Sequence, residues 1–409
     1  MRTQKRHHYL LNIWQSSYPK MPKDTVFGRL SLSESGFGLD YNSGFKEISN
    51  WESHKMDGQS ILAVDVLIEG DLIAIKNDEV LLLAPNLDNQ AFFGTEKKEV
   101  LDEFNSFLKL VRRFFESKGF LEIPTPSLVS SPGSEEFLYA FKTELEGVGE
   151  SKKMFLPTSP EFHLKKALSA GFTHVFEISK CFRNRESGLI HQAEFHMLEF
   201  YRAFDDLDAV LEDSLSLINF LIDKLDKKAP KEIKHLTVKE LFKKFCGIEL
   251  SPTSDSSDLL PYFKSQSLDF SSNDSFDDLF FRLFISEIEP NLKEMGLVVI
   301  KDYPPSQAAL ARLNEQGWAD RFELYWKGLE LANAFHELND PAEQLRRLHQ
   351  TNSKRVDNKE EEFPIDEEFI RALKRGMPPS GGIALGLERL FMCLYDLKDI
   401  KSTRLFPIT

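Results

Sequence analysis

Residues that suit a charged ligand gather between Phe176 and Tyr201. Arg183 follows an alternating apolar run, and His191 stands in the polar stretch after it, which predicts strand, loop and strand. Period-two alternation then places four side chains on one face of the second strand: Phe195, Met197, Glu199 and Tyr201. A ring for stacking, a carboxylate and a phenol beside a guanidinium suit a nucleotide triphosphate lying next to an ammonium-bearing substrate.

A second segment, Thr158–Lys165, places Glu161 directly after Pro160 at the predicted start of a helix. A glutamate there is a candidate partner for a cationic ligand. The alternative is an ordinary first-turn glutamate that the helix dipole favours.

A third segment, Gly328–Asp340, carries two carboxylates on a predicted strand. Alternation puts Asn333, Phe335 and Glu337 on one face, and Glu330 on the opposite parity. All four can line one site only if a bulge or bend intervenes. Carboxylate oxygens together with phosphates are ligands that Mg²⁺ prefers, whereas a solvated acidic strand is the alternative.

A fourth segment, Gly376–Leu390, is a glycine-punctuated strand that runs into a predicted helix. Glycines let a ligand approach the strand backbone closely. Arg389 falls in the first turn of that helix, where the backbone already favours anions.

In this order the segments resemble the class II aminoacyl-tRNA synthetases, and specifically their lysyl branch. Phe176–Tyr201 is similar to motif 2, Gly119–Pro126 to motif 1 and Gly376–Leu390 to motif 3. The resemblance covers about residues 100–409. It implies an α+β fold with an antiparallel sheet flanked by helices, a homodimer, and ATP and Mg²⁺ as cofactors.

The resemblance also implies roles for single residues. Arg183 and Arg389 would be catalytic, stabilising charge on the α- and γ-phosphates. The implied ATP-binding residues are Arg183, Asn184, Arg185, His191, Gln192, Phe195, Glu330, Leu331, Gly386 and Arg389. The implied substrate-binding residues are Ser159, Pro160, Glu161, Glu199, Tyr201, Asn333, Phe335, Glu337 and Ala384. Glu330 and Glu337 would hold the magnesium ion.

The chain departs from the family at Arg185, where the usual residue is a glutamate that contacts the adenine amino group. An arginine cannot accept a hydrogen bond. Either Glu186 or a backbone carbonyl reads the adenine, or ATP binding is weakened. Gln192 replaces a family asparagine and preserves its amide chemistry.

Within the lysyl branch, Phe335–Asp340 and Ala384 resemble the ligases that attach lysine or (R)-β-lysine to elongation factor P. This implies adenylation of lysine or β-lysine and transfer to a lysine side chain of that protein. One alternative is a reduced lysyl-tRNA synthetase that charges tRNA. Another is a catalytically silent paralogue with a binding or regulatory role, which Arg185 suggests.

The sequence before residue 95 has a pattern typical of a small β-barrel, with short predicted strands separated by turns. Turn residues separate five predicted strands: Thr25–Leu30, Gly36–Tyr41, Ile61–Ile68, Leu72–Lys76 and Val80–Ala84. This predicts an OB-like barrel over residues 1–95 and a catalytic domain over residues 96–409. That ligase family usually consists of the catalytic domain alone, so the barrel favours the tRNA alternative. The net charge of -14 opposes it, because phosphate binding needs basic surface.

The remaining sequence predicts little chemistry. Residues 205–245 are predicted to form two helices. Residues 251–278, rich in serine and aspartate, are predicted to form a surface loop or an inserted, weakly ordered connection. The three cysteines lack metal-ligand spacing and are expected to be buried thiols. No apolar run approaches the ~20 residues that span a bilayer, so no membrane association and a cytoplasmic location are expected.

Overall fold

The structure is a computed structural model that describes three stretches of the chain fully. These are residues 95–133, 135–147 and 151–407, with side chains from residue 99 onward. Before them it describes the backbone of residues 26–33, 36–41, 44–47, 55–56, 72–76 and 79–84. The chain separates into two compact units, Met1–Asn105 and Ser106–Thr409.

The first unit contains a six-stranded sheet in the order β3-β2-β1-β5-β6-β4. Its strands are β1 (Val26–Ser33), β2 (Gly36–Tyr41), β3 (Gly44–Glu47), β4 (Lys55–Met56), β5 (Leu72–Lys76) and β6 (Glu79–Ala84). Four predicted strands are confirmed to within a few residues, whereas the one predicted at Ile61–Ile68 lies outside the described residues. The OB-like barrel and a domain boundary at residue 95 therefore stay predictions.

The second unit is built on an eight-stranded sheet in the order β12-β13-β14-β15-β16-β11-β10-β7. Its strands are β7 (Leu121–Glu122), β10 (His174–Phe182), β11 (Glu194–Ala203), β12 (Ile233–Thr237), β13 (Leu297–Tyr303), β14 (Ala319–Trp326), β15 (Leu329–His336) and β16 (Ser380–Gly386). A separate hairpin comprises β8 (Lys142–Leu145) and β9 (Lys152–Phe155). Neighbours in the large sheet are antiparallel except at its two edges, β12–β13 and β10–β7, which are parallel. This is the predicted mostly antiparallel, helix-flanked α+β fold.

Ten α-helices are described along the chain, from Thr95 onward. They are α1 (Thr95–Ser117), α2 (Glu161–Ser169), α3 (Leu207–Leu225), α4 (Val238–Cys246), α5 (Ser256–Ser265), α6 (Phe276–Leu283), α7 (Glu289–Leu292), α8 (Pro341–Asp357), α9 (Glu367–Gly376) and α10 (Leu387–Tyr395). The apolar stripe predicted on α10 is buried against the sheet: Leu387, Leu390, Phe391 and Leu394. This packing fixes Arg389 in the first turn of α10, as predicted.

The prediction of two helices over residues 205–245 was wrong in one respect. Helices α3 and α4 are present, but β12 lies between them and pairs in parallel with β13. Its ladder partner is more than fifty residues away in the chain, and the five-residue segment carries no strong local strand signal. Tertiary pairing therefore decided its structure.

The prediction of a surface loop over residues 251–278 was also wrong. Helix α5 begins with a capping box between Asp255 and Asp258, and α6 begins with one between Ser275 and Asp278. The serines and aspartates that suggested a loop satisfy the free backbone donors of two helix starts.

The three cysteines are buried free thiols, as predicted. Across the part of the chain that the structure describes, no helix is both long and apolar enough to cross a bilayer.

Candidate active site

A cavity of about 970 Å³ lies in the second unit and brings most of the predicted site residues together. Those that line it are Ser159, Glu161, Arg183, His191, Gln192, Phe195, Glu199, Tyr201, Glu330, Leu331, Asn333, Phe335, Glu337, Ala384, Gly386 and Arg389. Pro160, Asn184 and Arg185 are not among its lining residues. Pro160 is the N-cap of α2, where it precedes Glu161.

The strand β11 supplies one wall of the cavity. It lies between β10 and β16 in the sheet interior. Successive side chains along it point alternately to the packed face and to the cavity. The predicted four side chains line the cavity together: Phe195, Met197, Glu199 and Tyr201.

One end of the cavity, here called the amine end, holds a buried carboxylate network. Glu199 is 1 % exposed and accepts hydrogen bonds from Ser159 Oγ at 2.6 Å and from Tyr201 OH at 2.9 Å. Burial, with the nearby Glu161 carboxylate, raises the pKa of Glu199 to about 8. A cation entering this end would favour its ionised form.

Lys165 completes the network from the next turn of α2. Its side chain is fully buried, with Nζ 2.6 Å from Glu161 Oε1 and 2.5 Å from Glu337 Oε2. Burial lowers the pKa of Lys165, but the two carboxylates outweigh burial and hold the pKa above its ordinary value. The sequence analysis missed this residue. The i,i+4 spacing from Glu161 was visible, but such pairs are usually found on surfaces.

Gly382 makes room for this network on β16. A Cβ atom built at Gly382 would overlap Glu337 Oε1 and the ring of Tyr201. The absence of a side chain therefore lets the Glu337 carboxylate and the phenol lie against the strand backbone.

At the other end of the cavity, here called the nucleotide end, a buried polar group lacks a hydrogen-bond partner. Arg183 Nε is buried and has no hydrogen-bond partner among the described residues, and its guanidinium lies 5.2 Å from the ring centroid of Phe195. Arg389 donates from Nη1 to the Glu330 carbonyl at 2.9 Å and from Nη2 to His191 Nε2 at 2.7 Å. Burial and then Arg389 lower the pKa of His191, which fits a neutral ring that accepts this bond.

Of the bulge or bend that would bring all four predicted side chains to one site, the structure shows a bulge in β15. Leu324 of β14 pairs with Ala332 and Tyr325 pairs with Glu330, so Leu331 is the extra residue. Because of this shift, the Glu330 side chain lines the same cavity as Asn333, Phe335 and Glu337.

The two predicted magnesium ligands both face the cavity, but their surroundings differ. The Glu330 side chain is 41 % exposed and lies 4.0 Å from Arg389 Nη1, whereas Glu337 is buried beside Lys165. Within the described ranges, no group of three or more His, Cys, Asp or Glu side chains could hold a metal. The oxygen donors still fit Mg²⁺ if phosphates supply the remaining ligands.

The glutamate that the family has at position 185 is replaced here by an arginine that lies outside the cavity lining. The Arg185 guanidinium lies 3.9 Å from the Tyr139 ring centroid and donates to Glu360 Oε1 at 2.8 Å. Glu186 instead lines the cavity. Of the possibilities for reading adenine, this placement favours Glu186.

A second buried pair was missed on β14. Arg321 donates to the Gln307 carbonyl at 2.7 Å and to Glu323, which also accepts from the hydroxyl groups of Tyr303 and Tyr325. Burial raises the pKa of Glu323 to about 7 against the opposing effect of Arg321. Both residues line the cavity. The alternation Arg-Phe-Glu could have indicated this pair from the sequence. Two charged side chains on one face of a strand must either be exposed to solvent or belong to a polar site.

A family model described as tRNA synthetases class II (D, K and N) matches residues 91–409. The chain therefore belongs to this family of class II synthetases and is an ATP-dependent ligase.

The chain is similar to several proteins named elongation factor P–(R)-β-lysine ligase. It is 35% identical to the one from Vibrio cholerae over 336 residues, which is 78% of this chain and 99% of the relative. It is 38% identical to the one from Vibrio atlanticus over 309 residues, or 73% and 93% of the two chains. An Aquifex aeolicus homologue is 36% identical over 304 residues, or 74% and 98%.

Proposed function

We propose that this chain uses ATP to adenylate lysine or (R)-β-lysine and then transfers the aminoacyl group to a lysine side chain of elongation factor P. The observation that carries the proposal is the pairing of two unlike ends in one cavity. A buried carboxylate network lies at one end, and an arginine with an unpaired Nε lies at the other.

The amine end supports a substrate with two ammonium groups. Three carboxylates, Glu161, Glu199 and Glu337, lie at this end with one ammonium, that of Lys165, which pairs with Glu161 and Glu337. Two further positive charges would balance the network when Glu199 is also ionised. Lysine and β-lysine each carry two ammonium groups and one carboxylate. Buried carboxylates that lack a counter-charge are costly, which gives the site a strong preference for such a ligand.

The nucleotide end supports activation of the substrate carboxylate. One carboxylate oxygen attacks the α-phosphorus, the bond to the bridging oxygen breaks, and pyrophosphate leaves with that electron pair. Arg183 directly follows β10, and its guanidinium lies 5.2 Å from the ring centroid of Phe195. In this position the guanidinium can stabilise the charge that develops on the α-phosphate. Arg389, held by Glu330 and His191, is the corresponding group for the outer phosphates.

Glu330 and Glu337 would hold Mg²⁺, which neutralises phosphate charge when bound. Glu330 is the more available ligand, because Glu337 already pairs with Lys165. In the second step the acceptor amine attacks the acyl carbon, loses a proton and displaces AMP.

The choice of acceptor rests on the relatives. The names of those from Vibrio cholerae and Vibrio atlanticus give elongation factor P as acceptor. The net charge of -14 is a further argument against a tRNA partner. The silent-paralogue alternative rested on Arg185, which makes its contacts with Tyr139 and Glu360, whereas Glu186 lines the cavity. We also propose a homodimer, as the resemblance to motif 1 implies.

The acceptor assay tests this proposal. Purified protein, ATP, Mg²⁺ and labelled lysine or β-lysine are incubated with elongation factor P or with lysine tRNA, and the labelled product is identified. We expect label on elongation factor P, and its retention after deletion of residues 1–95 if the truncated protein keeps its circular dichroism spectrum. Efficient charging of tRNA that is lost on this deletion, with no protein product, would instead establish the reduced synthetase.

A further inference from the structure

Arg185 is the residue at which this chain departs from its family, and its contacts point away from the nucleotide. The guanidinium lies over the Tyr139 ring, with 3.9 Å to the centroid, and Nη1 donates to Glu360 Oε1 at 2.8 Å. The side chain is 60 % exposed, so its charge is not desolvated by these contacts. Both partners lie outside the cavity lining.

The backbone at this position explains why Arg185 and Glu186 differ. Arg185 has φ = 64°, a left-handed conformation that non-glycine residues adopt at some energetic cost. Asn184 Oδ1 accepts from the Arg185 amide at 2.8 Å and stabilises the turn. The turn places Glu186 at the cavity and leaves Arg185 beside Tyr139.

Tyr139 ends a short loop, Glu135–Tyr139, that forms part of the cavity wall. The first four residues of this loop line the cavity: Glu135, Glu136, Phe137 and Leu138. The Tyr139 carbonyl accepts from the Asn184 amide at 2.6 Å, so the loop is joined to the segment that carries Arg185.

Arg355 of α8 also contacts this loop, and this residue is buried, with 2 % exposure. Arg355 Nη1 lies within hydrogen-bonding distance of three loop carbonyls, those of Glu135, Glu136 and Leu138, at 3.3, 2.9 and 3.0 Å. The Arg355 carbonyl in turn accepts from the Glu360 amide at 2.8 Å. The contacts therefore close a ring from Arg185 through Glu360 and Arg355 to the loop, and through Tyr139 back to Arg185.

We propose that Arg185 is a positioning residue that fixes the Glu135–Tyr139 loop against the cavity through Tyr139 and Glu360, and does not itself contact ATP. This inference rests on the proposed function for its kinetic consequence, because the loop wall bounds the space that ATP and the amino acid share. An exposed ion pair and a cation–π contact are each weak, so the expected effects are roughly three- to tenfold.

The test compares Arg185→Gln, Glu360→Gln and the variant that carries both changes. Hydrogen exchange of the amides of residues 135–139 is measured by mass spectrometry, and KM for ATP and kcat are measured by pyrophosphate exchange. Each single change should speed loop exchange and raise KM for ATP roughly three- to tenfold, with kcat within about twofold. The combined variant should be no worse than Arg185→Gln alone, because Arg185→Gln already breaks the contact with Glu360 that Glu360→Gln removes. Arg185→Lys keeps the positive charge, so its increases in loop exchange and in KM for ATP should be smaller than those of Arg185→Gln.

Glu362→Gln is the matched control, since Glu362 is an exposed carboxylate of the same segment, and it should leave both measurements unchanged. If Arg185→Gln raises KM for ATP while Glu360→Gln does not, Arg185 acts on the nucleotide and the proposal is overturned. Loop exchange that is unchanged in all variants overturns it as well. If the unaltered protein shows no pyrophosphate exchange, the proposed function fails, whereas the hydrogen-exchange comparison still decides whether Arg185 fixes the loop.

Discussion

The two ends of the cavity differ in how fully their polar groups are satisfied before a ligand arrives. At the amine end, Glu199 accepts two hydrogen bonds, and the buried Lys165 pairs with two carboxylates, of which Glu337 is buried and Glu161 is 16 % exposed. At the nucleotide end, Arg183 Nε has no partner among the described residues and Glu330 is 41 % exposed. The amine end is thus pre-organised by its own hydrogen bonds and ion pairs and lacks only the positive charge of its ligand, whereas the nucleotide end holds a buried donor that has no described partner before the ligand binds.

The sharpest test of this difference is Lys165→Gln. The change leaves the buried Glu337 and the largely buried Glu161 without their cation, so the free energy of unfolding should fall by about 3–5 kcal/mol. The neighbouring Lys166→Gln is the control, because Lys166 is 21 % exposed and pairs with one carboxylate, so its loss should cost less than that of the fully buried Lys165. Urea unfolding measures both. Equal losses for the two variants would mean that the buried network adds nothing special to stability.

The converse holds for Arg183→Ala. Removing this guanidinium should lower kcat for pyrophosphate exchange roughly 10²- to 10³-fold, because its charge acts on the transition state. The free energy of unfolding should change little, since Nε stabilises no described partner. Arg371→Ala, on the exposed face of α9, is the control and should leave exchange intact. A large loss of stability with preserved exchange would reverse the assignment of the two ends.

A third comparison uses two glycines of β16. Gly382→Ala should raise KM for lysine or β-lysine about tenfold or more, because the added methyl overlaps Glu337 and Tyr201, and overpacking of this kind costs about 1–3 kcal/mol. In Gly386→Ala the nearest atom to the new methyl is Arg389 Cδ at 3.8 Å, so KM for the amino acid should stay nearly unchanged. Similar KM values in both variants would show that the amine end lies elsewhere.

The smallest expected effect is on pH dependence. Burial raises the pKa of Glu199 to about 8, so the native state penalises its ionised form and this group costs stability as pH rises from its ordinary pKa to about 8. A cationic substrate favours the ionised form, so KM for lysine should fall several-fold between about pH 6.5 and 8.5. Glu199→Gln removes the titration of this group and should reduce the slope of the profile, which Glu337 also shapes because burial raises the pKa of its carboxyl to about 8. A profile that keeps its slope in this variant would assign the titration to another group.

The sequence predicted the local parts of the site and missed the long-range ones. The β10–β11 hairpin and the place of Arg389 in α10 follow from periodicity and glycine punctuation, and the structure confirms them. Alternation also indicated that a bulge or bend was needed for Glu330 to share the site, and the structure has a bulge there. Lys165 was missed because its importance depends on Glu337, which is 172 residues away in the chain and reaches it only through the folded sheet.

The same reason accounts for the errors in the fold. The strand β12 exists because β13 pairs with it, and the aspartates and serines of residues 251–278 act as helix caps only once α5 and α6 bury their apolar faces. Leu259 and Phe263 are such buried residues on α5. Local composition cannot separate a cap from a turn when both use the same side chains.

Amino-acid-dependent pyrophosphate exchange tests the central claim most directly, because it requires both ends of the cavity and no acceptor. The protein is incubated with ATP, Mg²⁺ and labelled pyrophosphate, with lysine, β-lysine or, as a one-ammonium control, norleucine. The account predicts label in ATP with lysine or β-lysine and none with norleucine. Exchange that is absent with both diamino acids at high enzyme and ATP concentrations, or equally fast with norleucine, would contradict it.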